Sequence, residues 1–141
     1  MAAQIDQVRA THRLLLRTYW KLQRAINNRL EPYGLTGPQF GVLVRTTEEG
    51  VPLTQLAERL FSDVSTVNGI VNRLENQGLV ERRRCTEDRR VVFVQLTSAG
   101  RITRQQAMPE HHQHMQERYG VLTDSELATL QQLLKKLMSN L

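Results

Sequence analysis

The sequence predicts a mainly α-helical fold with one small β-hairpin, framed at both ends by long amphipathic helices. Three observations predict it. Apolar residues recur at helical spacing from residue 5 to 30 and again after 123. Between these stretches, two short helical segments are separated by only three residues, "FSD" (61–63). Directly after the second segment comes the one stretch with strand alternation, "RVVFVQL" (90–96), paired in sequence with "LVERRR" (79–84).

The elements follow in order. Ile5, Val8, His12, Leu15, Tyr19, Leu22 and Ile26 step alternately by three and four, a heptad seam suited to packing along another helix. Leu14, Leu16 and Leu30 widen the stripe, and Pro32 and Gly34 end it. A lone helix this long is best explained by a second chain. Thr36 caps the next helix, with Pro38 in its first turn. It runs to about Thr47 and buries Phe40, Leu43 and Val44, and "EEGVP" (48–52) breaks it. A short helix follows over Thr54 to Leu60, with Leu56, Ala57 and Leu60 inward. Ser62 or Asp63 caps the helix over 64–77, whose inner side carries Val64, Val67, Ile70, Val71 and Leu74. Gly78 ends it.

Two short helices joined by a three-residue turn make a helix-turn-helix, and the hairpin after it makes a wing. Thr97 caps a helix to about Tyr119, where the internal Pro109 predicts a kink. "TDSE" (123–126) is a capping box opening a last helix striped by Leu127, Leu130, Leu134, Leu137 and Leu141. The chain thus reads as one domain over 1–141. Residues 33–97 form the winged helix-turn-helix, and 1–32 and 98–141 supply dimerisation helices.

Length and composition fit this reading. A chain of 141 residues builds one ordinary core without metal or disulfide. The single cysteine excludes an internal disulfide and points to a reducing cytoplasm. No run of 18 apolar residues spans a membrane, and "MAAQIDQVRATHR" lacks the layout of a signal peptide. The net charge is +5, and of 19 basic residues 16 are Arg and 3 Lys. Their placement matters more than the total: "RRRCTEDRR" (82–90) holds five Arg against one Glu and one Asp.

The outward side of the 64–77 helix carries Ser65, Thr66, Asn68, Gly69, Asn72 and Arg73. A merely solvated helix favours Glu, Lys, Gln and Ala, which are better helix formers. Ser, Thr and Asn form helices poorly but hydrogen-bond well to phosphates and base edges. Gly69, mid-face, costs roughly 1 kcal/mol against Ala and permits close approach of a bulky partner such as a groove wall. Arg73 serves either Glu75 or a phosphate. At the wing tip, Asp88 pairs with Arg90 and fixes its direction, while narrow minor grooves attract inserted arginine. These features point to double-stranded DNA. The alternatives are an exposed face that contacts protein and a charged tip that only blocks edge aggregation.

"LTQLAERLFSDVSTVNGIVNRLENQGLVERR" resembles the helix-turn-helix of MarR-family transcriptional regulators. "DRRVVFVQLTSAG" matches their wing pattern of Asp, any residue, Arg, an apolar strand, Leu-Thr, two residues and Gly. "LTDSELATLQQLLKKL" resembles their last helix. The resemblance covers nearly the whole chain. It implies an obligate homodimer with interlocked terminal helices, binding a pseudo-palindromic operator, usually as a repressor. It implies that Ser65, Thr66, Asn68 and Arg73 face the major groove and that Arg90, oriented by Asp88, enters the minor groove. Arg89 has no assigned role. It further implies release of DNA by a small phenolic or other aromatic ligand, or in some members by oxidants or metals.

Arg17, Tyr19 and Trp20 are the candidate pocket residues for such a ligand, against the alternative that the aromatics are packing residues. "PEHHQHMQE" (109–117) places His111 and His114, and Glu110 and His114, on one helix face, but a solvated polar helix is the preferred reading and no metal is assigned. Cys85, beside a basic cluster, is weighed as an oxidant sensor, yet oxidant sensors of the family usually carry their cysteine in the first helix, where this chain has none. There is no phosphate loop, no nucleophile beside a base and no catalytic metal set, so neither an enzyme nor a cofactor is expected.

Overall fold

The sheet explains the middle of the molecule. In the computed structural model, which describes residues 1–141, the elements run α1 (Ala2–Leu30), a 3-10 turn (Glu31–Tyr33), α2 (Gly37–Arg45), β1 (Val51–Pro52), α3 (Leu53–Arg59), α4 (Val64–Asn76), β2 (Val80–Arg84), β3 (Val92–Leu96), α5 (Ser98–Tyr119) and α6 (Asp124–Met138). β3 is the central strand, with β1 and β2 antiparallel on either side. The hairpin pairs Val80 with Leu96, Arg82 with Val94 and Arg84 with Val92. The third strand, β1, was not expected: "EEGVP" reads as a helix breaker, and only its pairing of Val51 with Val94 makes two of its residues a strand.

Local signals set the boundaries. Thr36 and Gln39 form a reciprocal capping box on α2, and Thr123 and Glu126 form another on α6. Asp63, rather than Ser62, caps α4. Gly34 ends the 3-10 turn at φ 70, in the left-handed region that favours glycine. α5 runs as one helix through Pro109.

A single core of sixteen residues fills the space between α2, α3, α4, the sheet and the inner ends of α1 and α5, from Leu30 to Ala107. Within α2 it takes Val42 with Phe40 and Leu43, and the expected Val44 is only partly buried. Gly100 is required where α5 meets the sheet, because a Cβ there would overlap the Leu79 carbonyl oxygen. Thr97 closes the same junction, its Oγ1 accepting from the Gly100 N–H at 3.0 Å and donating to the Gly78 carbonyl at 2.6 Å.

The ends of the chain are packed differently. All of α1 up to Trp20 is exposed, and α6 buries no residue. Ile5, Val8, Leu15, Leu16, Leu133, Leu134 and Leu137 leave apolar side chains on the surface, and Val8, Leu15 and Leu137 line one furrow between α1 and α6. α1 joins α5 through Arg29, whose guanidinium forks to Glu110 (3.1 Å) and Glu117 (2.6 Å). His114, between those carboxylates in sequence, is buried with neither ring nitrogen hydrogen-bonded, and His111 packs on Phe40. The expectation of a solvated polar helix fails for these two: they lie on the side of α5 that faces α1 and α2. Burial lowers the pKa of both. Neighbouring histidines add to the effect at His111, and Arg118 and Arg29 add to it at His114 against an opposing pull from Glu117. No three His, Cys, Asp or Glu side chains gather as a metal-holding group. No helix is long and apolar enough to cross a membrane.

Candidate nucleic-acid interface

α4 begins where Asp63 stops the preceding turn. Its Oδ1 accepts from the Thr66 N–H at 2.6 Å and its Oδ2 from the Thr66 hydroxyl at 3.0 Å. These bonds favour the ionised carboxyl and hold its pKa below the ordinary range. Val67, Val71 and Leu74 bury the inner side. Val64, expected beside them, is 43% exposed because it stands on the first turn, beyond the edge of the core. The connection into α4 places Phe61 at φ 51 with its ring out in solvent, an unusual conformation for an aromatic residue.

Ser65, Thr66, Gly69, Asn72 and Arg73 are all exposed, as the sequence places them, and Asn68 is half-buried. A Cβ built on Gly69 meets nothing within 4 Å, so no packing inside the chain explains this glycine. Glu75 pairs with Arg82 at 2.8 Å, not with Arg73.

The five wing arginines separate into three kinds. Arg82 points inward and bonds to α4. Arg83 stacks over its cross-strand partner Phe93, 4.9 Å from the ring centre, and Arg84 donates to the Arg89 carbonyl at 2.8 Å. Arg89 and Arg90 stand at the tip, exposed. There Asp88 takes three bonds from Arg90: from its N–H and its Nε at 3.1 Å, and from Nη2 at 3.2 Å. The Arg90 side chain stays 92% exposed while its direction is set. Its guanidinium in turn holds the Asp88 carboxyl below the usual carboxylate range.

Sequence reasoning named Asp88 and Arg90 correctly as a pair but missed Arg82. The signal was present: strand alternation puts Arg82 on the same side as Val80, facing the core.

Arg17, Tyr19 and Trp20 do not close a pocket within one chain. Arg17 and Trp20 line an open shallow cleft on α1 with Arg13 and Arg24, and Tyr19 packs edge-on against Trp20 with ring centres 5.4 Å apart. A second open cleft of about 510 Å³ lies where α1, α2 and α5 meet, its lining mixing Ile26, Phe40, Val44 and Met108 with Gln23, Arg45, His111 and His112.

A model of the MarR family matches residues 33–91, from the end of the 3-10 turn through the wing tip. The multiple antibiotic resistance protein MarR of Salmonella typhimurium is 34% identical over 89% of this chain and 89% of that protein. Among solved structures, a mutant MarR from E. coli complexed with operator DNA superposes with a TM-score of 0.84 at 30% identity, covering 93% of this chain and 95% of the other. CouR from Rhodococcus jostii bound to p-coumaroyl-CoA superposes with a TM-score of 0.76 at 28% identity, covering 88% of each chain.

Proposed function

The chain belongs to the MarR family of transcriptional regulators, and from that premise we propose that it is a homodimeric repressor of a pseudo-palindromic operator. One observation carries the reading furthest. Arg90 is almost wholly exposed, yet its guanidinium is fixed in direction by two bonds to Asp88, and at 92% exposure the ordered side chain adds little to the chain's own packing. Ordering it in advance lowers the entropy lost when the guanidinium enters a narrow minor groove. Beside it, α4 presents Ser65, Thr66, Asn68, Gly69, Asn72 and Arg73 to the major groove, and Gly69 lets the groove wall come close. Arg89 adds exposed positive charge at the same tip.

The homodimer is supported by the apolar residues that α1 and α6 leave uncovered, which a second copy would bury. A two-fold dimer would set its two α4 helices on one side of the duplex at half-sites about 10 bp apart. For ligand release, the cleft beside Phe40 and Met108 has apolar walls from both the DNA-reading part and the terminal helices, and it suits a small aromatic molecule better than the open face of Arg17, Tyr19 and Trp20.

The test is selection from a random DNA library with the purified chain, followed by affinity against salt for the winner. An enriched inverted repeat with half-sites about 10 bp apart is the expected result. Weak, steeply salt-dependent binding without enrichment would leave only charge attraction. On the selected site, Arg90→Ala is expected to weaken binding more than roughly tenfold with the dimer intact.

A further inference from the structure

Arg82 ties the wing to α4. It lies on β2 opposite Val94 and one alternation from Val80, both fully buried, so its side chain is drawn under α4 and keeps only 22% exposure. A guanidinium there must be paired. Nη1 donates to Glu75 Oε1 at 2.8 Å, and the Arg82 backbone N–H donates to Glu75 Oε2 at 3.1 Å. Nη2 donates to two oxygens of one residue: the Asn68 main-chain carbonyl at 3.1 Å and its side-chain Oδ1 at 2.7 Å.

Arginine carries donors and no acceptor, so the amide atom facing it must be the oxygen. Because Nη2 gathers both Asn68 oxygens, Oδ1 is folded back toward the helix backbone. The amide nitrogen is the end left over. A free Asn on a recognition helix reads adenine with both ends of its amide, accepting from N6 and donating to N7. With Oδ1 turned back toward Arg82, the outward end of the Asn68 amide is its donor.

We propose that Arg82 is a positioning residue for base selection: by holding Oδ1 it makes Asn68 a donor-only reader that selects a keto base, guanine or thymine, in each half-site. This rests on the DNA-reading function proposed above. In the major groove guanine offers O6 and N7 and thymine offers O4, all acceptors; adenine sets its N7 acceptor beside an N6 amine that a donor-only reader leaves unanswered, and cytosine offers only the N4 amine.

The experiment is library selection with the full-length chain and three variants. Asn68→Ala identifies the dependent position, which loses its preference. In the unsubstituted chain that position is expected to be G or T, favoured over C by roughly tenfold. Arg82→Met frees the amide, and the preference there is expected to shrink to within roughly twofold or move to adenine while the rest of the operator is unchanged. Asn68→Asp keeps an oxygen for Arg82 and turns an acceptor outward, so the selected base moves to C or A. Asn68→Asp does not depend on how well Arg82→Met folds.

Adenine at that position in the unsubstituted chain overturns the proposal. So does an Arg82→Met variant that loses affinity equally for all sequences with a salt slope smaller by about one, the mark of a phosphate contact. If no chain enriches any sequence, the DNA-reading function falls, and this role falls with it.

Discussion

The part of the chain from Leu30 to Leu96 and the two terminal helices are built to different standards of completeness. The first encloses nearly all of the sixteen-residue core. The second leaves Leu133, Leu134 and Leu137 in solvent, and α6 buries nothing. Both are rich in leucine, so composition does not separate them. The difference is where the complementary surface comes from. In the central part nearly every apolar side chain, Phe61 and Val64 apart, finds its partner within the same chain, whereas α1 and α6 leave theirs uncovered, as the proposed dimer requires.

That contrast can be broken. Leu43 is fully buried in the central core, and Leu43→Ala is expected to lower unfolding free energy by about 2–5 kcal/mol, measured by denaturant titration. A loss below about 1 kcal/mol would mean that the core is looser than its burial indicates. Leu137→Asp, in the furrow beside Val8 and Leu15, should barely change the folding of the central part. It is expected to dissociate the proposed dimer in sedimentation equilibrium and to weaken operator binding by more than roughly a hundredfold, since two half-sites would then no longer be held together. A variant that remains dimeric would move the interface elsewhere.

Gly69→Ala sharpens the contrast within α4. No atom of the chain opposes the new methyl, so thermal stability should rise by about 0.5–1 kcal/mol while DNA affinity falls. A gain in both would remove the close-approach role.

The smallest expected effect lies at the seam between the two parts. His111 and His114 have depressed pKa values, so the folded chain binds fewer protons than the unfolded one as pH falls below the ordinary histidine range. Their contribution is complete above that range and is lost as pH falls through it toward the depressed folded values. Melting temperature is therefore expected to fall between about pH 7 and pH 5, and His114→Leu should flatten the slope. Asp63 and Asp88, whose carboxyls are also depressed, keep their bonds across that window and lose them only in stronger acid.

What was legible in the sequence was what is local. The caps at Thr36, Asp63, Thr97 and Thr123 act within three residues, and the Asp88–Arg90 pair within two. β1 was not legible, because Val51 becomes a strand residue only through Val94, far along the chain. The burial of His114 was hidden by the polar composition of "EHHQH", which gives no sign of which side meets α1. Arg82 is masked for a different reason: it opens a run of three arginines that reads as uniform surface charge, although strand alternation sends it inward.

The Arg29 fork has a mechanical consequence. Proline inside a helix removes one backbone bond and ordinarily creates a hinge. Glu110 and Glu117, both beyond Pro109, are held by one guanidinium rooted in α1, so the part of α5 past the proline is tied to α1. α5 is about 33 Å long and runs from the wing junction at Thr97 to the turn before α6. The two halves of α5 therefore have different anchors: the first is joined to the sheet at Thr97 and Gly100, the second to α1 at Arg29.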